Sequence, residues 1–339
     1  MLDNRALLTD LYQFTMAQAY WQTGKMQDDG CFYLHFRDNP FHGGYAVASG
    51  MAEVAKMIDN YSFENEDIEY LASLPAPDGG NLFDPDFLAT LNALCLSIDV
   101  DAVLEGTVVF PYEPLIRVRG PIIQCQLVET AILNSVNFET LIATKAARVC
   151  GVAKGPVAEF GLRRAQGPMG GNLASRAAIV GGCASTSNTM AGKLFDLPVS
   201  GTHAHSWVMA HDDELEAFRA YARVMPNNCI LLVDTYDVLD GVRNAIIVAL
   251  EMEQRGQKLS GIRIDSGDLA WLSIQARDLL DEAGLDYVKI VVSNDLDEYT
   301  IQSLHDQEAR IDAWGVGTRL ATAYDQPSLG GVYKLCATR

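Results

Sequence analysis

The chain has 339 residues, of which 49% are hydrophobic and 20% are charged, and its formal net charge is −19. This composition predicts a folded protein of two domains or one large α/β domain, and it excludes an extensively disordered chain. The negative charge argues against general nucleic-acid binding, because such a surface would repel a phosphate backbone. An anionic substrate would therefore need a local cluster of basic residues.

The lack of a recognisable export signal and the scattered cysteines predict a cytoplasmic protein. The N-terminus lacks the basic-then-apolar pattern of a secretory signal, and apolar runs such as residues 245–250 are far shorter than the roughly 20 residues of a membrane helix. The seven cysteines are scattered singly, without a CxxC pair or the paired spacing of a zinc module. We expect free thiols in a reducing compartment.

The first part of the chain mixes helices and short strands without regular alternation, which predicts an α+β domain over residues 1–125. Residues 105–110 and 115–119 flank a turn at 111–114 and are typical of a β-hairpin. A helix is predicted next, over residues 129–149.

Strands and helices alternate in the last third of the chain. The predicted strands are residues 229–233, 261–264, 287–292 and 311–314. Three helices are predicted between them. The first covers residues 238–255, the second follows Asp268 and ends at about 282, and the third follows Asp295 and ends at about 307. A step of about 30 residues is typical of an irregular β/α barrel, predicted here over residues 126–339, and a doubly wound sheet is the alternative. In either fold, chemistry is expected where the strands end.

Two candidate groups lie at these strand ends. Gly315, Gly317 and Thr318 follow an apolar strand, and backbone N–H groups in such a turn can bind phosphate, although many glycine turns after strands do not. Arg263 and Asp265 are two residues apart and share one face of a strand. They could bind an anion together with a ribose diol or a metal ion, or they could form a salt bridge at the rim.

Histidines form a further candidate group. His203 and His205 could act as a nucleophile, a base or metal ligands, and the alternative is that each is structural. A metal site that includes His211 would need further ligands at a spacing that this sequence does not supply.

Basic residues concentrate in one part of this acidic chain and indicate an anion site, although solvated helix faces would explain several of them. They are Lys145, Arg148, Lys154, Arg163, Arg164 and Arg176. Arg163 and Arg164 are the better candidates, because they follow the segment from Glu159 to Gly161. Phe160, within that segment, is a core residue or a ring that stacks on a ligand.

Taken in order along the chain, six segments resemble the nicotinate phosphoribosyltransferase family. They are residues 7–13, 159–164, 185–188, 201–207, 263–268 and 315–318. The resemblance implies an irregular α/β barrel with an N-terminal domain, in a homodimer whose sites lie at the subunit interface. It also implies ATP-coupled, ligase-type transfer of a phosphoribosyl group from phosphoribosyl pyrophosphate to nicotinate. The expected products are nicotinate mononucleotide and pyrophosphate, with Mg²⁺ as cofactor and ATP as co-substrate.

The resemblance also implies roles for individual residues. Tyr12 of the partner subunit would stack with Phe160 around the pyridine ring, and ATP would phosphorylate His205. Arg163 and Arg263 would hold anionic groups, and Asp265 would hold the ribose. Further substrate contacts are expected from Ser187, Asn188 and Thr202. The 5′-phosphate is expected to contact Asn294, Gly315, Gly317 and Thr318.

Substrate choice and completeness of the chain follow from the same resemblance. Asn188 stands where the related nicotinamide enzymes carry an aspartate, so it favours the acid over the amide. The family normally continues beyond the phosphate loop, whereas this sequence ends at Arg339. We therefore expect a fragment or a chain that has lost its C-terminal part. A nicotinamide-preferring enzyme and an inactive ligand-binding relative are the alternatives.

Overall fold

The structure is a computed structural model that describes residues 6–339, and the chain divides into two units. The first unit contains residues 6–144 and 326–339, and the second contains residues 145–325. This division differs from the predicted boundary after residue 125, because the first unit extends into a long helix and also includes the last strand. No helix within residues 6–339 is both long enough and apolar enough to cross a bilayer.

The first unit is an α+β structure, as the sequence predicts. Its elements are α1 (Leu11–Gln22), β1 (Asp29–His35), β2 (Ala46–Val47), α2 (Met51–Asp59), α3 (Asn65–Ser73), α4 (Pro85–Asn92), β3 (Asp99–Ala102), β4 (Val108–Val109), β5 (Ile116–Pro121), α5 (Ile122–Leu127), the start of α6 (Glu129–Val152) and, after the second unit, β12 (Val332–Thr338). An antiparallel sheet has the strand order β12-β1-β5-β3, and β2 pairs with β4.

The predicted hairpin between residues 105–110 and 115–119 is wrong. Strand β4 pairs with β2, whereas β5 pairs with β1 and β3, so the two predicted arms belong to different sheets. Strand β5 forms six residue pairs with β1 along nearly its whole length. This longer ladder with a distant strand replaces the local pairing that the turn residues indicate.

The second unit contains the predicted alternation of parallel strands and helices. Its elements are the end of α6, β6 (Val157–Glu159), α7 (Gly167–Val180), β7 (Ser185–Thr186), α8 (Thr189–Phe195), α9 (His205–Met209), α10 (Glu214–Val224), β8 (Ile230–Leu232), α11 (Val238–Gln254), β9 (Gly261–Ile264), α12 (Leu269–Glu282), β10 (Lys289–Asn294), α13 (Glu298–Asp306), β11 (Ala313–Val316) and α14 (Thr318–Ala321). All five strand pairs are parallel, in the order β7-β6-β11-β10-β9-β8.

Aspartates after the strands start the next helices. Asp237, Asp268 and Asp297 each accept a hydrogen bond from a backbone N–H in the first turn of α11, α12 and α13, respectively. A side-chain oxygen at this position satisfies a helix donor that has no partner within the helix. The acidic residues near the strand ends therefore divide into helix caps and residues that line the site.

An extended segment, residues 198–203, lies between the two edge strands of the parallel sheet. Val199 forms a parallel bridge with Thr186 of β7, and the N–H of Ser200 donates to the carbonyl of Thr186. On the other side, the N–H of Leu232 in β8 donates to His203 Nε2 at 3.1 Å. The irregular barrel is thus completed through one histidine side chain, because β7 and β8 do not pair directly.

His203 is neutral in this position. Nε2 accepts a hydrogen bond, so its proton must lie on Nδ1, which is 3.4 Å from the carbonyl oxygen of Ala204. Burial lowers the pKa of His203 from its ordinary value of 6.5, and the positive charge of Arg263 acts in the same direction. Protonation would remove the acceptor that holds β8.

We predict that His203→Gln makes the stability of the protein less dependent on acidic pH. The pKa of His203 is lower in the folded protein than in the unfolded chain, so the unfolded chain binds this proton first as the pH falls. The contribution of neutral His203 to the unfolding free energy is therefore complete above the unfolded pKa of 6.5, and it is lost as the pH falls through the lowered folded pKa. The variant should lose about 1 kcal/mol of unfolding free energy at neutral pH, and the gap to the parent should narrow on acidification. Urea unfolding at several pH values measures this gap, and a gap independent of pH would contradict the assignment.

Candidate active site

Two adjoining cavities lie at the C-terminal ends of the barrel strands. The first, named here the loop cavity, has a volume of about 230 Å³ and is lined by Phe160, Arg163, Arg164, Arg263, Asp265, Ser293, Asn294, Asp295, Gly315, Gly317 and Thr318. The second, the histidine cavity, has a volume of about 280 Å³ and is lined by Phe160, Leu162, Arg163, Ser187, Gly201, Thr202, His203, Ala204 and Arg263. Phe160, Arg163 and Arg263 line both. The structure therefore brings together most of the predicted site residues.

Arg263 of β9 joins three neighbouring parts of the barrel. Its Nε donates to Ser293 Oγ at 2.7 Å, Nη1 donates to Thr202 Oγ1 at 3.0 Å, and Nη2 donates to Asp265 Oδ1 at 2.9 Å. A guanidinium has five N–H groups in a fixed plane. Three are used within the described residues, so two remain for an anion in the cavity. Arg263 is thus both a salt-bridge partner and an available anion-binding group.

Asp265 is ionised in this arrangement. Burial acts to raise its pKa, but hydrogen bonds from Ser293 and Arg263 and the charge of Arg263 outweigh burial, so the pKa lies below its ordinary value. The side chain keeps 29% of its surface exposed. It can therefore accept hydrogen bonds from a hydroxyl group in the cavity.

Close packing fixes the ring of Phe160. A Cβ placed on Gly315 would lie 2.7 and 2.8 Å from two Phe160 ring carbons, and a Cβ on Gly161 would lie 2.3 Å from the Cβ of Ala321. None of these three distances occurs between real non-bonded carbon atoms, so both positions require glycine. Gly315 lies within β11 rather than after it, and its absent side chain makes room for the ring.

Glu159, which the sequence analysis did not select, holds the turn that carries Phe160. Its buried carboxylate accepts hydrogen bonds from the N–H of Gly161, from Ser175 Oγ at 2.8 Å and from Thr186 Oγ1 at 2.7 Å. These three hydrogen bonds satisfy the buried carboxylate and fix its position. Its signal in the sequence is a charged residue that ends an otherwise apolar strand.

The predicted basic cluster divides into two groups. Arg163 and Arg164 are exposed and line the loop cavity. Lys145 is fully buried and pairs with Glu298 at 2.7 Å and Asp325 at 2.6 Å. The remaining three basic residues of the cluster, Arg148, Lys154 and Arg176, do not line either cavity. Only part of the cluster is therefore available to a substrate.

Two loops that form one wall of the loop cavity are joined by an ion pair. Asn294 ends β10 with a φ of +128°, a backbone conformation that side chains rarely adopt and that often marks functional sites. Just beyond it, Asp297 Oδ2 accepts from Arg319 Nη1 at 2.8 Å. Arg319 follows Thr318 in α14, so the pair fixes the two predicted phosphate-binding loops against each other.

His205 occupies a different setting from His203. It is the first residue of α9, its side chain is 41% exposed, and its Nδ1 lies 3.2 Å from Thr235 Oγ1 and 3.9 Å from Asp234 Oδ1. Asp234 is buried, and its Oδ2 accepts from Ser266 Oγ at 2.6 Å. Within residues 6–339, its Oδ1 has no hydrogen-bond partner. The nearest donor to this oxygen named here is Nδ1 of His205, 3.9 Å away.

Two predicted substrate contacts are not in the cavities. Asn188 is buried and caps α8, its Oδ1 accepts from the N–H of Ala191, and its Nδ2 donates to Asn172 Oδ1 at 3.0 Å. Asn188 therefore does not line either cavity, and its contact with the substrate stays a prediction. Tyr12 belongs to the first unit, where its side chain is 47% exposed and its hydroxyl donates to Glu129 Oε1 at 3.4 Å.

Within residues 6–339, no cluster of side chains forms a metal site without a substrate. In the described part of the chain, no three His, Cys, Asp or Glu side chains meet in a geometry that would ligate an ion. His203 was considered above as a metal ligand together with His205 and His211, but its Nε2 accepts a hydrogen bond from the backbone N–H of Leu232. It is therefore not available as a ligand through that atom.

These features define an α/β-barrel protein with an arginine-lined cavity at the C-terminal ends of its strands. The model of the nicotinate phosphoribosyltransferase (NAPRTase) N-terminal domain matches residues 7–137, and that of the NAPRTase family matches residues 156–337. The chain belongs to this family.

Individual relatives agree with this assignment. A nicotinate phosphoribosyltransferase of Bacillus subtilis is 49% identical over 337 residues, which cover 99% of this chain and 67% of the relative. The crystal structure of human nicotinic acid phosphoribosyltransferase has a TM-score of 0.86 and 35% identity, and covers 97% of this chain and 74% of that one. A nicotinate-nucleotide pyrophosphorylase from Pyrococcus furiosus has a TM-score of 0.76 and 25% identity, with coverage of 98% and 76%.

Proposed function

We propose that this protein transfers a phosphoribosyl group from phosphoribosyl pyrophosphate to nicotinate, giving nicotinate mononucleotide and pyrophosphate for NAD salvage. The observation that carries the proposal is the loop cavity, where three arginines and a glycine-containing loop face one space in a chain of net charge −19. Membership of the NAPRTase family supports the choice of substrates. The free cysteines favour a reducing compartment such as the cytoplasm.

The reaction needs stabilisation of a leaving anion more than a strong base. The pyridine nitrogen attacks the anomeric carbon of the ribose, the bond to pyrophosphate breaks, and positive charge develops on the ribose ring. Arg163, Arg164 and the two remaining N–H groups of Arg263 would bind the phosphate oxygens. Asp265, ionised and beside them, would accept from the ribose hydroxyls and favour the cationic transition state.

The pyridine ring is expected against Phe160, which lines both cavities. Arg163 also lines both cavities, so its N–H groups that are not used for phosphate would bind the carboxylate of nicotinate through charged hydrogen bonds that a neutral amide cannot equal. Ser187 and Thr202 add hydroxyl groups to the same cavity. These groups support preference for the acid, whereas Asn188 is engaged elsewhere.

A second copy of the chain would complete this pocket. We propose a homodimer in which the exposed ring of Tyr12 covers the partner subunit's pyridine site. The ring projects from α1 with its hydroxyl anchored on Glu129, so its apolar face remains free for stacking.

Magnesium fits the loop cavity as an ion held mainly by substrate oxygens. Mg²⁺ commonly uses one or two protein carboxylates together with phosphates, and Asp265 and Asp295 line the same cavity as the arginines. When bound there, the ion would neutralise part of the charge of pyrophosphate. Asp265 and Asp295 would orient it through their carboxylate oxygens.

ATP coupling is proposed through His205. Its Nδ1 faces Thr235 and Asp234, so its Nε2 would attack the terminal phosphorus of ATP and ADP would leave. The Nδ1 proton would then donate to the unpartnered Oδ1 of Asp234, which stabilises the charged ring. His203 is unsuited to this step, because its Nε2 already accepts from Leu232.

The direct test is mononucleotide formation by the purified chain with phosphoribosyl pyrophosphate and Mg²⁺, with and without ATP. Nicotinate and nicotinamide are supplied in parallel. We expect product from nicotinate that increases with ATP. Equal or greater product from nicotinamide would favour the amide-preferring alternative, and calorimetric binding of nicotinate without any product would favour an inactive relative.

We predict that His205→Ala abolishes phosphoprotein formation from γ-labelled ATP and removes the stimulation by ATP, while transfer without ATP persists. The reason is that only the phosphoryl acceptor is lost, whereas the cavities are lined by other side chains. His211→Ala is the matched control, because His211 contacts the backbone of Trp207 outside both cavities. Unchanged labelling of His205→Ala would eliminate this residue as the acceptor.

A further inference from the structure

The thiols of Cys150 and Cys183 lie in contact within the second unit. Their Sγ atoms are 3.9 Å apart, in hydrogen-bond contact. Cys150 is in the last turn of α6, and Cys183 lies two residues before β7. A disulfide bond is about 2 Å long, so the two sulfurs would have to approach each other by about 2 Å to bond.

The backbone around the pair favours this approach. Gly182 has a φ of +109°, and a Cβ placed on it would lie 3.6 Å from the Cβ and 3.7 Å from the Sγ of Cys150. Cys150 therefore packs directly against the glycine that precedes Cys183. On the other side, the N–H of Cys183 donates to the carbonyl of Ala178 at 3.0 Å. The segment that presents Cys183 is thus anchored.

The two thiols differ in reactivity in the way that stepwise disulfide exchange requires. When Cys150 is the thiolate, a hydrogen bond from Cys183 stabilises it and lowers the pKa of Cys150, although burial opposes this effect. The same hydrogen bond and burial raise the pKa of Cys183. Cys150 is also partly exposed, whereas Cys183 is buried. Cys150 is therefore the attacking thiol and Cys183 the resolving one.

We propose that Cys150 and Cys183 form a redox-modification site, at which a low-molecular-weight disulfide converts the two thiols into an intramolecular disulfide. The thiolate of Cys150 attacks one sulfur of the small disulfide and releases one small thiolate, leaving a mixed disulfide on Cys150. Cys183 then attacks the Cys150 sulfur, and its proton passes to the second small thiolate as it leaves. The two cysteines lose two electrons, and the small disulfide gains them as two thiols.

The bond would join the end of α6 to the segment that leads into β7. Because it closes a loop of more than thirty residues, it restricts the unfolded chain and should raise the thermal midpoint by roughly 5–10 °C. A reducing dithiol should reverse the change. This inference is independent of the proposed transferase activity, because its readouts involve no substrate.

The test treats the full chain with oxidised glutathione under native conditions and maps its peptides by mass spectrometry. We expect one internal cross-link between the peptides that contain Cys150 and Cys183. The number of free thiols should fall by two more than the number of glutathione mixed disulfides that are detected. The cross-link and the thermal shift should be absent from both Cys150→Ala and Cys183→Ala. They should persist in the control Cys95→Ala, which removes an exposed thiol of the first unit.

Two results would overturn the proposal. One is modification of the exposed Cys95 and Cys336 while Cys150 and Cys183 both remain free thiols. The other is a Cys150 that stops at the mixed disulfide with glutathione. Peptide mapping of the unmutated chain distinguishes these outcomes even if a variant fails to fold.

Discussion

The guanidinium of Arg263 is the interaction on which the site depends. Its hydrogen bonds reach Asp265 just after β9, Ser293 of β10 and Thr202 of the segment at residues 198–203, and its Cζ lies 5.8 Å from the centre of the Phe160 ring. One cation therefore links two adjacent inner strands and the segment that closes the barrel to the aromatic wall. Three of its donors serve this framework, and the residue lines both cavities, so the group that organises the site is also the one proposed to bind an anion.

Acidic residues make this cation compatible with a partly buried position. Asp265 neutralises Arg263 directly, and Asp234 accepts from the N–H of Asp265 at 2.9 Å. Asp234 also lies next to His205. The anion-binding group and the proposed phosphoryl acceptor are thus connected through two carboxylates on neighbouring strands.

The sequence predicted the parts of the fold that depend on local pattern. Strand β9 and helix α12 have the predicted bounds, because apolar runs and aspartate caps encode them directly, while β11 is shifted by two residues. The β4–β5 hairpin prediction was wrong, because pairing with distant strands replaced it. Side-chain environments were harder to predict: Glu159 was missed and the burial of Asn188 as a helix cap was not foreseen, since side-chain direction depends on packing between segments distant in sequence.

The most direct test of this account is the kcat/KM for nicotinate of Arg263→Lys. Lysine keeps the charge but cannot donate in three directions within one plane, so we predict a fall of about a hundredfold or more. The control is Arg243→Lys, an exposed arginine paired with Asp240 outside both cavities, which should change little. A kcat/KM for Arg263→Lys within about twofold of the parent would contradict the central role of the guanidinium.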